Sequence, residues 1–127
     1  MILARAAGIA AALGGAVAVV LGAFGAHALS ASLDERALAT WHTAVEYQFW
    51  HALALLVIAA MASHRATTSL RAAAIAFVAG IVLFSGSLYA LALGAPRWIG
   101  AITPVGGVAF VVGWIALAIH AWKSGDR

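Results

Sequence analysis

Side chains able to coordinate, bind or move a proton gather at His27, His42, Glu46, Tyr47, His51, Ser85, Ser87, Tyr89 and Arg97, set in otherwise apolar surroundings, while His64 and His120 stand apart near the ends of their apolar stretches. Histidine and glutamate are the usual groups for acid–base work and for holding a metal. His42 and Glu46 are four residues apart and share one face of a helix. His51 lies five residues past Glu46, roughly 140° around a helix, and aligns instead with Tyr47 and Gln48. No HExxH pattern occurs, and no three ligands fall on one face. A metal would need His27 from another segment to join His42 and Glu46, so neither a metal nor a cofactor is expected. Ser85 and Ser87 lack the GxSxG surroundings of a strained nucleophile. Structural roles compete for the same residues. Glu46 can pair with Arg97 or Arg36, and a neutral His51 can bond Ser85 or a backbone carbonyl.

Four apolar stretches must position these groups, at about 4–29, 41–62, 71–93 and 102–122. Each matches the roughly 20 residues that cross a hydrocarbon core ~30 Å thick. Apolar residues make up 65% of the chain and charged residues 9%, against ~25% charged in a soluble domain. So few charges cannot solvate four helices. The expected fold is therefore all-α, an integral membrane four-helix bundle in one domain, 1–127, with the lipid bilayer as its surroundings. The net charge of +3 comes from seven scattered Lys and Arg, which form no basic stripe, so nucleic acid is excluded as a partner. Absence of cysteine removes disulfides and thiolate chemistry.

An ionisable group inside a span is costly and marks function by default. Counted from Trp41 at ~1.5 Å per residue, Glu46 lies about 7–8 Å in and His51 about 15 Å in. Ser85, Ser87 and Tyr89 fall at depths similar to Glu46, with His27, Arg97 and Thr103 near the same membrane face. The polar groups thus gather in one half of the bundle. Arg5, Arg65, Arg71, Lys123 and Arg127 share the opposite face, against Arg36 and Arg97 on this one. Basic residues accumulate in the cytoplasm, so both termini are expected there and the polar half faces outward. The first segment exceeds a signal peptide's apolar region and is expected to remain as a span.

Local signals refine this picture. Ser32 with Glu35 reads as a capping box that starts a short amphipathic surface helix after the first span. Gly94 followed by Pro96 reads as a helix stop, and Thr103-Pro104 as a helix start. Trp41, Trp98 and Trp122 suit the headgroup level. Small residues at Ala6, Ala10, Gly14, Ala18, Gly22 and Ala26 offer close helix packing.

The ordered blocks Gly22-Ala23-Phe24-Gly25-Ala26-His27-Ala28-Leu29, Trp41…Tyr47-Gln48…His51-Ala52-Leu53, Phe84-Ser85-Gly86-Ser87-Leu88-Tyr89 and Arg97 to Gly107 carry a resemblance. Over essentially the whole chain they resemble the YgdD-like small inner-membrane proteins, domain-of-unknown-function family four-two-three, which has a eukaryotic branch of small transmembrane proteins. The resemblance implies a four-helix inner-membrane protein and supplies no activity.

Three functions stay open on the sequence. The first is a non-enzymatic packing or accessory subunit that associates with itself or within a larger membrane complex. The second is an outward-open pocket lined by His27, Glu46, Tyr47, His51, Ser85, Ser87, Tyr89 and Arg97, binding or conducting a lipid, quinone-like ligand, ion or proton. The third is a membrane enzyme using His and Glu.

Overall fold

Alanine, leucine and other good helix formers fill the four stretches, and the computed structural model, which describes residues 1–125, is helical throughout them. The first long helix, α1, is Ile2–His27, and α2 is Glu35–His64. The third span, Thr68–Ala92, is built from α3 (Thr68–Gly80), a π-helical segment (Ile81–Ser85) and α4 (Gly86–Ala92). The last long helix, α5, is Ile102–Gly125. Short 3₁₀ turns at Leu29–Ala31 and Arg97–Ala101 complete the order. All four long helical runs have the length and hydropathy to cross a membrane. Their outward surface carries Ile9, Val17, Val20, Val108, Val112 and Ile115 exposed, the surface that hydrocarbon rather than water favours.

Two antiparallel helix pairs make the bundle, each with its own packing device. Along α1 and α2, Gly25 faces the Trp41 ring, Gly22 faces Val45, Gly14 faces Ala52 and Gly8 faces Ala59. Lipid provides no hydrophobic drive for helix association, so close approach through small residues supplies dispersion contacts instead. The buried edge of α1 is Ala7, Ala11, Ala18 and Gly25. The expected small-residue stripe packs inward through its middle, at Ala10, Gly14, Ala18 and Gly22, while its ends Ala6 and Ala26 are exposed, because a spacing of four drifts around a helix of ~3.6 residues per turn. Along α3 and α5 the device is reciprocal: Phe110 fills the space over Gly80, and Phe77 fills the space over Gly113. Phe77, Leu55, Ile58 and Leu70 form the fully buried centre.

Where α5 passes the π segment, Gly106 lies directly on the backbone of Leu83 and Phe84. The widened turn lets two successive side chains face protein: Phe84 meets Phe110 on α5, and Ser85 turns toward α2. Gly94 ends the third span with φ +94°. Its N–H donates to Leu91 O, and the Ala95 N–H to Ala90 O, the paired bonds of a Schellman stop that favours glycine.

Three local expectations are corrected. Asp34, not Ser32, caps α2, accepting from the Ala37 N–H at 2.8 Å, and the expected surface helix is continuous with the second span. Thr103 lies inside α5, after a 3₁₀ turn has already brought the chain in, and its hydroxyl bonds Ser87 instead of capping. Trp41 is no interfacial anchor: it is 3% exposed and donates to Leu21 O on α1 at 2.8 Å, whereas Trp98 and Trp122 are 68% and 79% exposed. Arg127, counted above among the basic residues, lies outside the described residues.

Candidate functional site

Buried polar groups in a bilayer must find partners within the protein, and the half of this bundle nearer Gly94 meets that demand through a set of interhelical bonds. Gln48 on α2 is the hub. Its Nε2 donates to Gly14 O on α1 at 2.9 Å, and its Oε1 accepts from the Tyr89 hydroxyl on α4 at 2.8 Å. Tyr89 also packs edge-on against Trp41, with ring centroids 4.7 Å apart. Ser85, fully buried, donates to Ala44 O at 2.8 Å. Ser87 donates to Phe84 O at 2.9 Å and shares a 2.6 Å contact with the Thr103 hydroxyl on α5. No buried side-chain nitrogen or oxygen lacks a partner among the described residues.

His51 sits deeper, in an aromatic cage. Its ring is stacked on Phe110, with centroids 3.6 Å and planes 12° apart, and meets Phe77 and Trp114 at 5.3 and 6.0 Å. The Trp114 indole N–H donates to Nε2 at 3.2 Å, and Nδ1 lies 2.6 Å from Tyr47 O. An indole nitrogen only donates and a carbonyl only accepts. The ring that fits both is the neutral one with its hydrogen on Nδ1. Bonding to Ser85, one of the two expectations for His51, is not made; bonding to a backbone carbonyl is. Tyr47, Trp50, His51, Phe84, Phe110 and Trp114 border a shallow apolar groove between α2 and α5.

Glu46 is elsewhere. It is exposed, in a groove between α1 and α2 lined by Ala18, Val19, Gly22, Ala23 and Phe49. Arg36 and Arg97 line a separate hollow together with Asp34, so the expected pairing of Glu46 with either arginine is not made. Helix geometry accounts for the separation, since five residues turn Glu46 and His51 onto different faces of α2. Tyr47, His51, Ser85, Ser87 and Tyr89 therefore belong to the interior, while Glu46 faces outward from it. His27 ends α1 and is exposed, as is Arg97. His27, His42 and Glu46 do not converge, and no metal-holding group of His, Asp or Glu occurs among the described residues.

Two residues complete this set, Gln48, which shares a helical face with His51, and Trp114. Gln48 was visible as an amide in mid-span, a group that lipid does not solvate. Trp114 was visible as a tryptophan far from either helix end, where interfacial anchoring cannot explain it. The partner of each was not visible.

Chemically, the interior set holds helices together and offers little to a substrate. The hydroxyls of Ser85 and Ser87 are engaged by carbonyl oxygens and neither meets a base, and both nitrogens of His51 are occupied.

Comparison with known proteins places these residues in a recognised context. A family described as "Protein of unknown function (DUF423)" matches residues 21–107, a stretch that includes Trp41, Glu46, Gln48, His51, Ser85, Tyr89 and Thr103. The chain is similar to the membrane protein YwdK of Bacillus subtilis, 47% identical over 108 residues that cover 84% of this chain and 88% of that one. A membrane protein of Haemophilus influenzae is 46% identical over 113 residues, covering 89% and 90%. The inner membrane protein YgdD of Escherichia coli is 42% identical over 111 residues, covering 87% and 85%. No solved structure matches.

Proposed function

The chain belongs to the DUF423 family, and on that premise we propose that it is a non-enzymatic membrane subunit that docks another membrane helix on its α1/α2 face. The observation that carries this reading is Glu46. It stands twelve residues along α2 from the Asp34 cap, about 18 Å at the helical rise, exposed among alanine, valine, glycine and phenylalanine side chains. A carboxylate at a lipid-facing position is expensive, and such groups pair within bundles or complexes. The internal polar set supports the same reading, because its bonds are spent on holding α1, α2, α4 and α5 in register. The partner is a second copy of this chain or another membrane subunit that offers a hydrogen-bond donor or a cation at that depth. In this reading both termini are cytoplasmic, following the basic residues of the middle loop and helix ends.

The test uses the absence of cysteine. Phe49→Cys places one thiol beside Glu46 on the exposed face, and crosslinking in native membranes should yield a discrete adduct. Glu46→Leu in the same background should weaken that adduct while leaving the bundle's thermal stability in detergent unchanged. A chain that stays monomeric at every lipid density, with Glu46→Leu indistinguishable from the parent, refutes the docking face.

A further inference from the structure

At the end of the bundle opposite Gly94, the chain passes from α2 to α3 through Arg65, and α5 runs alongside. A hollow of about 520 Å³ opens there, bordered by His64, Arg65, Thr67, Ser69, His120 and Lys123. No carboxylate among the described residues lines it. We propose that this hollow binds a phosphate group, supplied by the headgroup of an anionic lipid or by a soluble phosphate.

Three observations lead there. First, the basic side chains come from different parts of the chain: His64 from the end of α2, Arg65 from the loop and Lys123 from the last turn of α5. Basic residues are common near helix C-termini, where they complement the helix dipole, which accounts for His64 or Lys123 taken singly. It does not account for their meeting Arg65 and His120 around one cavity. Second, His120 is fixed across the hollow: its Nδ1 lies 2.9 Å from Thr67 Oγ1, which also accepts the Leu70 N–H at 3.2 Å. Nε2 is then the ring atom left to meet a ligand. Third, the contrast with the other end is chemical. There, Arg36 and Arg97 share their hollow with Asp34, so a carboxylate already supplies the negative charge.

Phosphate fits because Arg and Lys bind its oxygens with charge-assisted bonds while hydroxyls fill the remaining acceptor sites. Trp122, beside Lys123 and 79% exposed, suits headgroup depth. A lipid phosphate therefore reaches the hollow without leaving the bilayer. Clusters of basic residues just outside a span attract anionic lipids by about a factor of five for each cation.

The experiment compares the full chain in nanodiscs of phosphatidylcholine alone and with one-fifth phosphatidylglycerol, reading retained lipid by native mass spectrometry. A parallel arm titrates inorganic phosphate against the thermal stability of the chain in neutral detergent. The variant pair Arg65→Gln with Lys123→Gln removes two cations here, and Arg36→Gln with Arg97→Gln removes two from the other end. All four side chains are exposed, so folding is retained, and circular dichroism checks it. The expected result is preferential phosphatidylglycerol retention, weakened roughly thirtyfold in the first pair and unchanged in the second. Stabilisation by inorganic phosphate that is lost only in the first pair, without lipid preference, supports the phosphate site and assigns it a soluble ligand. Equal effects of the two pairs, or no response to either phosphate source, overturn the proposal.

Discussion

Tyr89 gives its phenolic hydrogen to Oε1 of Gln48 at 2.8 Å, while the amide nitrogen of the same Gln48 donates to Gly14 O at 2.9 Å. One side chain thereby ties α1, α2 and α4. Tyr89→Phe leaves the Gln48 oxygen buried without a donor, and should lower stability by about 0.6–2 kcal/mol. Gln48→Leu breaks both interhelical bonds and should cost more than Tyr89→Phe. In the double variant the losses should be less than additive, because the Tyr89 bond no longer exists to be lost twice. Denaturant titration in micelles reads all three; strict additivity would show that the bond contributes nothing.

The stacked His51 ring makes a second, independent prediction. Trp114→Phe keeps an aromatic ring against Phe77 and His51 but removes the only donor to Nε2 among the described residues. The orphaned nitrogen should cost about 1–3 kcal/mol. Adding His51→Leu removes the nitrogen that needed a partner, so the double variant should recover part of the loss. A double variant less stable than Trp114→Phe alone would show that stacking on Phe110, rather than the hydrogen bond, dominates the site.

Much of this arrangement was legible before any coordinates. Four spans follow from length and hydropathy, and the Gly94 stop follows from glycine before proline. The gathering of polar groups in one half follows from counting residues at 1.5 Å each. Facing was harder. Glu46 and His51 share a depth range but not a face, and depth alone grouped them. The roughly 140° between them turns His51 toward the α2/α5 groove and Glu46 toward the α1/α2 groove. The π segment carries no composition signal of its own, since Ile81 to Ser85 is ordinary span sequence. It goes with Gly106 pressing on Leu83 and Phe84 from a helix about twenty residues away. Trp41 was misplaced for a related reason: tryptophan at a helix end suits the headgroup level, but Gly25 opposite leaves room for the indole to turn inward.

The proposed orientation has a direct reading. Single cysteines at Ser32, beyond the first turn, and at Ser124, near the end of α5, replace exposed hydroxyls. With four spans they lie on opposite membrane faces, so a membrane-impermeant thiol reagent applied to intact cells should label Ser32→Cys and spare Ser124→Cys until the cells are lysed. Labelling of Ser124→Cys alone would invert the chain and place the basic hollow outside.

Glycine substitutions separate the two packing devices from the rest of the chain. A Cβ at Gly106 would run into the backbone of Leu83 and Phe84, atoms that cannot swing aside as a side-chain tip can. Gly106→Ala must therefore push α5 away from the third span, and overpacking of this kind costs typically ~1–3 kcal/mol or more. At Gly113 the obstacle is the Phe77 ring, 2.5 Å from the new carbon. That ring is fully buried against Trp114 and His51, so Gly113→Ala should be destabilising as well, though a ring can tilt where backbone cannot. Gly15, one residue from the α1/α2 contact at Gly14, has nothing within 4 Å of an added Cβ. Gly15→Ala should thus be neutral or slightly stabilising, by up to ~1 kcal/mol from helix propensity. The expected order of thermal stability in detergent is Gly15→Ala at or above the parent, then Gly113→Ala, then Gly106→Ala. Should Gly106→Ala prove as stable as Gly15→Ala, α5 cannot lie against the π segment as described, and the placement of Ser85 and Phe84 on their separate partners would have to be abandoned with it.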